Sequence, residues 1–223
     1  MREIVLDTET TGFQYNGEDR IVEIGCIELV NHIATGNRYH QYINPERSMS
    51  QEAFKVHGLS DEFLSGFPVM AEVIDQFFEF IGNETPLIIH NAEFDIGFIN
   101  AELKRLKKPA ISISRSIDTV KMAREKFPGA PVSLDALCRR FSIDNSDRAF
   151  HGAILDAQLL SEVYLELIGG LQPDFELAPD VKSENVVADG PEDRKLRVFN
   201  LTASEKSAHA KFLEKIKEPI WSK

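Results

Sequence analysis

Read for alternation and period, the chain opens with strands and continues with helices. Ile4, Val5 and Leu6 are three apolar residues in a row, which predicts a strand covered on both faces. Ile21–Val30 and the stretch 33–43 are rich in Ile and Val and extend it into a three-stranded meander, with Asn31-His32 as a tight turn and Asn44-Pro45 as its end. Residues 50–56 predict a short helix closed by His57 and by Gly58, a residue that tolerates positive φ. Over 69–81, Met70, Val73, Ile74, Phe77 and Ile81 recur at helical spacing and give one buried face. Residues 86–90 predict a second buried strand and 93–106 a helix with Phe94, Phe98, Ile99 and Leu103 inward. A short strand over 113–117 completes a βαβ unit, whose crossover is right-handed. Helices follow over 118–126, 133–141 and about 153–168. The sum is an α/β fold: a mixed sheet, an antiparallel meander extended by parallel strands, with helices on both faces.

Gly169-Gly170 ends that pattern. Residues 171–193 hold three Pro and seven acids against one base. Such a stretch buries too little to offset its chain entropy and predicts a flexible acidic linker. In 194–223 a strand-like run, 196–201, precedes Thr202-Ala-Ser-Glu205, the pattern of a capping box. The helix it opens places Ala208, Phe212 and Ile216 on one side, and Trp221 ends the apolar set. Thirty residues are too few for a core of their own, so this segment either packs back or docks on a partner; the linker before it favours docking.

Composition adds compartment and partners. With 223 residues and 43% hydrophobic content the chain supports one full core plus an appendage. No apolar run approaches the ~20 residues of a membrane span, which predicts a cytoplasmic protein with no membrane partner. Cys26 and Cys138 are isolated and read as small core residues of a reducing compartment. Residues 1–170 carry 26 acids against 16 bases, a net of −10, whereas 194–223 carry three against eight, a net of +5. An acidic body has little intrinsic attraction for a polyanion. A nucleic-acid substrate would have to be kept nearby by something else.

The chemistry lies in four acids and one histidine. Asp7 and Glu9 are two apart on a strand, so they share a face at its end. With no Lys or Arg among them they repel, and a cation between them relieves that. Asp95, in Asn91-Ala-Glu-Phe-Asp95, falls on the first turn of the helix after the second buried strand. Asp156 lies on the last helix of the body, and His151 precedes it by five residues. Five residues turn a helix through about 500°, so the pair is not a regular helical clamp. His151 is expected in the loop before the helix, swinging toward Asp156.

In order and separation, Asp7-x-Glu9, Asn91-x-x-Phe94-Asp95 and His151-x4-Asp156 resemble the signature of the DEDD exonucleases of the ribonuclease-H-like superfamily, in the histidine-using branch. The tyrosine branch places its residue four before the last Asp, where this chain has Gly152. Within the family the chain is most similar to the proofreading subunits of bacterial DNA polymerase III. The similarity is carried by stretches 4–12, 54–64, 90–98, 133–138 and 151–164, and it returns in the tail at Lys195-Leu-Arg-Val198 and Trp221.

That resemblance implies removal of single nucleotides from a DNA 3′ end. Two Mg²⁺ or Mn²⁺ ions would prepare the attacking water and stabilise the leaving oxygen; hard cations take carboxylate oxygens. It implies that Asp7 bridges both ions, that Glu9 and Asp156 hold the one nearer the water, and that Asp95 supports the other. His151 takes the water's proton. Glu52 and His57 join Asp7, Glu9 and Asp156 in holding the terminal nucleotide, and Phe94 either lines the base or is core. It also implies a 1–170 exonuclease domain, a 171–193 linker and a 194–223 segment that docks on the polymerase III catalytic (alpha) subunit. Gln172-Pro-Asp-Phe-Glu-Leu177 reads either as a sliding-clamp-binding peptide or as an ordinary linker start. A small accessory core subunit is left open. The nearest alternative is a stand-alone exonuclease of the same branch trimming RNA or short oligonucleotides; a non-catalytic adaptor is the alternative from another class.

Overall fold

The computed structural model describes residues 1–146, 151–170 and 201–216, which fall into two units, each taken by itself below. The linker, the clamp-like stretch 172–177, the strand-like run 196–201 up to Asn200, and Trp221 lie outside the described residues.

The body is built on a five-stranded mixed sheet in the order β3-β2-β1-β4-β5, from β1 Arg2–Thr10, β2 Ile21–Val30, β3 Ile33–Tyr42, β4 Leu87–Ile89 and β5 Ser116–Asp118. β1, β2 and β3 pair antiparallel; β4 pairs parallel to both β1 and β5. The turn from β2 to β3 holds Asn31 and His32 at φ 51° and 66°. Positive φ at both central residues is the hairpin turn whose twist matches paired strands.

Side-chain alternation along β1 explains its apolar run. Ile4 and Leu6 join one core with α3 (Met70–Ile81) and α4 (Ala92–Arg105). Val5 joins the other with α5 (Thr119–Lys126), α6 (Leu134–Phe141) and α7 (Ala153–Leu167). Helices thus cover both faces, as the sequence pattern predicts. Helix boundaries follow caps: Ser50 and Ser133 accept from Ala53 N and Ala136 N at the starts of α1 (Gln51–His57) and α6, and Gly58 ends α1 at φ 72°.

One expected strand needs correction, and one helix was not expected. The strand expected over 113–117 begins later: Ser112 accepts from Ser114 N, turning 113–115 into a 3₁₀ turn, and pairing starts at Ser116. The one-turn helix α2, Asp61–Leu64, is too short to show a period and escapes pattern reading. In the second unit, Thr202 and Glu205 form the expected capping box of α8, Ala203–Leu213. The helix ends before Ile216, so that residue is not part of its apolar set, and Phe212 is exposed within this unit. No helix among the described residues is long and apolar enough to cross a membrane.

Candidate active site

The carboxyl-terminal half of β1 carries the first two acids. Asp7 and Glu9 face the α7 side, and Thr8 between them faces α4. A register shift between Glu9 and Thr10 then breaks the ladder with β2, a disruption common beside sites because it re-aims side chains.

From the α4 side comes Asp95. Asn91 caps α4 in the left-handed region at φ 72°, and its backbone N–H donates to Asp118 Oδ1 at 3.2 Å. That sharp entry brings the first turn of α4 to the end of β1, where Thr8 Oγ1 donates to the buried Asp95 carboxylate at 2.7 Å. Burial pushes the Asp95 carboxyl up to about 7, against the pull of its hydrogen bonds.

From the other side comes α7, and a glycine admits it. Gly25 lies opposite Asp7 in the β1–β2 register. A Cβ there would stand 2.3 Å from the Ala153 carbonyl and 2.4 Å from Ile154 N. Only glycine lets the start of α7 lie this close to the sheet. An isolated glycine inside an apolar strand is the sequence signal for such an approach; the functional pattern in the sequence contains nothing of it. Asp156, in the first turn of α7, is buried next to Asp7.

His151 stands in the loop before α7, as expected from the angle argument. Its backbone N–H donates to Val56 O of α1 at 3.0 Å, and its Nδ1 lies 3.1 Å from Asp156 Oδ2. Glu9, His151 and Asp156 each offer a ligand atom within 4.8 Å of the others. Asp7 falls outside that tightest group; with His90, Ser133, Leu134, Asp135, His151 and Asp156 it lines a cleft of about 260 Å³, whose lining includes neither Glu9 nor Asp95. A larger hollow of about 680 Å³ between loop 13–18 and α4 is lined by no acid, so size does not pick the site.

The other expected residues divide. His57 is buried at the end of α1, with Nδ1 accepting from Leu59 N–H at 3.1 Å. Burial holds its pKa below the usual histidine value, and Thr10 and Glu23 partly offset this. Glu52 is exposed on the first turn of α1 and is not among the residues lining the cleft. Phe94 packs partly buried, its ring 4.9 Å from that of Phe98. Thr8, His90, Ser133 and Asp135 lie inside the stretches that carry the resemblance without being singled out as site residues, and Gly25 lies outside them.

The donor set fits hard divalent cations. Burial, then Asp95, Glu9, Asp156 and Glu23 in turn, push the Asp7 carboxyl well above the usual carboxylate range. Like charges crowded in a buried site are stable only when protonated or neutralised by a cation. Oxygens and one imidazole suit Mg²⁺-like ions; neither cysteine lines the cleft.

Comparisons with known proteins bear on the family and the fold. Residues 4–164 match the RNase_T family, described as Exonuclease. DNA polymerase III subunit epsilon of Rickettsia felis is 48% identical over 223 residues, covering 97% of each chain. The subunit of the same name from Escherichia coli K12 is 43% identical over 231 residues, covering 97% of this chain and 94% of its own. Among solved structures, the nuclease domain of 3′hExo, a DEDDh family member bound to rAMP, superposes with a TM-score of 0.64 at 15% identity, over 75% of this chain and 91% of that one. Exonuclease X in complex with 5′ overhanging duplex DNA superposes with a TM-score of 0.59 at 24% identity, over 74% and 90%. At those identities the likeness shows the ribonuclease-H-like exonuclease fold.

Proposed function

The chain belongs to the exonuclease family, in the group of DNA polymerase III epsilon subunits, and on that premise we propose how its residues remove single nucleotides from DNA 3′ ends. It is a proofreading 3′–5′ exonuclease, a hydrolase whose fold implies divalent metal ions, and it associates with DNA polymerase III.

Asp7, Glu9 and Asp156 would hold the divalent ions, two Mg²⁺ or Mn²⁺, and Asp95, oriented by Thr8, would support them. Bound there, such ions neutralise charge on the phosphodiester oxygens and on the leaving 3′-oxygen. His151 works beside them as general base. Donating its Nδ1 proton to Asp156 Oδ2 fixes the tautomer, so that Nε2 keeps a lone pair for the proton of the attacking water. His57 and Glu52, both on α1 and outside the lining of the acid cleft, are assigned to the terminal nucleotide by the resemblance alone. A mispaired end enters more readily, having less stacking and pairing to lose.

Residues 194–223 dock on the polymerase's catalytic subunit, and the acidic stretch 171–193 tethers the body. Tethering at an effective concentration toward millimolar compensates for a body of net charge −10. The clamp contact at 172–177 and a small accessory subunit belong to the same reading.

The observation that carries the proposal is the meeting of Glu9, His151 and Asp156, from a strand, a loop and a helix, within 4.8 Å. The test is incubation with 3′-labelled matched and mismatched primers, with Mg²⁺, Mn²⁺ or a chelator. Mononucleotide release that needs the metal and vanishes in Asp7→Ala is expected. Longer products, or indifference to the chelator, would overturn it.

A further inference from the structure

The body is acidic, yet four of its sixteen cations, Arg20, Arg47, Lys104 and Arg105, line two hollows beside loop 13–20 and the end of α4 that share Gly17 and Arg105. Their arrangement is built. Glu102, buried on α4, accepts from Arg20 Nε at 2.6 Å and Nη2 at 3.0 Å, and from Arg105 Nη1 at 3.0 Å. Arg20 Nη1 also donates to Pro45 O at 3.2 Å, and Arg105 Nη2 to Gly17 O at 3.2 Å. Arg47 Nη1 lies 3.1 Å from Asp19 Oδ1. These contacts pin guanidinium groups around a groove of about 370 Å³ lined by three arginines, Arg20, Arg47 and Arg105, with Ser48, Gly17 and one acid, Glu18. A guanidinium has five N–H donors, and Arg20 spends three on these partners, so donors remain. Lys104 borders the adjoining hollow and forms no ion pair among the described residues.

The groove is aligned with the catalytic acids. Glu102 follows Asp95 by seven residues, about 700° of helix, so both lie on one stripe of α4 about 10 Å apart. Loop 13–20 begins just after Glu9, with Thr11 N donating to Arg20 O at 2.9 Å, and Ser50, the cap of α1, donates its N–H to Thr11 O. Ten ångströms is roughly three steps of stacked nucleic acid at 3.4 Å each.

We propose that this arginine groove takes a backbone phosphate of the strand whose 3′ end is in the cleft, about three nucleotides back from the scissile bond. The proposal rests on the exonuclease reading and adds a second, electrostatic contact to it. Phosphate contacts position a strand without reading its sequence.

The test uses the full chain with Arg47→Ala, Lys104→Ala and the double variant, on a dinucleotide and an eight-nucleotide single strand. On the longer strand the double variant raises KM about tenfold with kcat unchanged, and Arg47→Lys recovers most of the loss. The dinucleotide, too short to reach the groove, is cleaved as by the wild type. Binding of a phosphorothioate strand, read by fluorescence anisotropy without turnover, loses about 1.4 from its log–log salt slope. Because that readout needs no catalysis, it separates failure of the groove from failure of the exonuclease reading, which would show as an inactive wild type. Equal losses on both substrates with an unchanged salt slope overturn the proposal. So does a lowered KM, which would point to an acidic peptide as the groove's occupant.

Discussion

Two acids of one strand, Glu3 and Asp7, show what separates a structural carboxylate from a reactive one. Both lie on the same face of β1 and both are met by α7, which runs along that face. At one end, Tyr164 Oη donates to the fully buried Glu3 at 2.8 Å, and His32 Nδ1 stands 2.8 Å from its other oxygen. At the other end, α7 brings Asp156 to a strand that already carries Asp7 and Glu9, with Asp95 arriving from α4. The same helix therefore gives one acid a hydroxyl donor and crowds the other. Burial alone does not mark a site; burial among like charges does.

The largest way to break this comparison is to neutralise the crowded acid. Asp7→Asn is expected to lower mononucleotide release by about 10³-fold or more, because the proposed cation site loses the carboxylate that Asp95, Glu9 and Asp156 crowd. The same change raises the Tm of the metal-free protein, read by thermal melts in chelator; a fall in Tm would contradict the crowding argument.

Next comes pH. Asp95 is raised to about 7 when folded and titrates near 4 when unfolded, so the native state binds more protons between those values. Metal-free stability should therefore be greatest below pH 4, as far as this group is concerned, and be lost as pH rises through about 7. Added Mg²⁺ or Mn²⁺ should raise Tm more at pH 8 than at pH 5. An equal rise at both pH values would remove these acids from the metal site.

Tyr164→Phe sharpens the other end. It leaves Glu3 buried without its hydroxyl donor, at a cost of about 2 kcal/mol, or about 4–8 °C in Tm for a body of this size. Activity at 25 °C should stay at the wild-type level, and a matched loss of kcat would show that the two ends are not separable.

The smallest effect belongs to Glu28, a partnered acid at the rim. Hydrogen bonds from Arg2, then Asn37 and Thr35, hold its carboxyl down to about 2. Its contribution is present above the unfolded value near 4.3 and is lost as pH falls toward 2. Being partly solvated, the Arg2 pair is worth below about 1 kcal/mol, so Arg2→Ala should shift an acid-unfolding curve only slightly.

Much of this was legible in the chain because it is local. Three apolar residues covered on both sides, the stripe from Met70 to Ile81, Gly58 after α1 and the capping box at Thr202 all depend on neighbours within a few residues. The spacing of Asp7, Glu9, Asp95, His151 and Asp156 was legible too, through its resemblance to a known signature. Local chemistry also misled: Ile113 and Ile117 read as strand, but the Ser112 hydroxyl diverts the first half into a turn. A four-residue helix has no period to detect.

What only the tertiary structure decided is which acids are paired and which are crowded. Tyr164 reaches Glu3 across 161 residues and Arg20 reaches Glu102 across 82, and nothing in either local sequence marks its partner. Gly25 acquires its meaning only when the start of α7 lies against it. The sequence by itself determined elements, caps and the inventory of acids, since backbone preference and hydrophobic period act over a few residues. Charge neutralisation acts through space, so the folded chain alone sorts those acids into supports and a site.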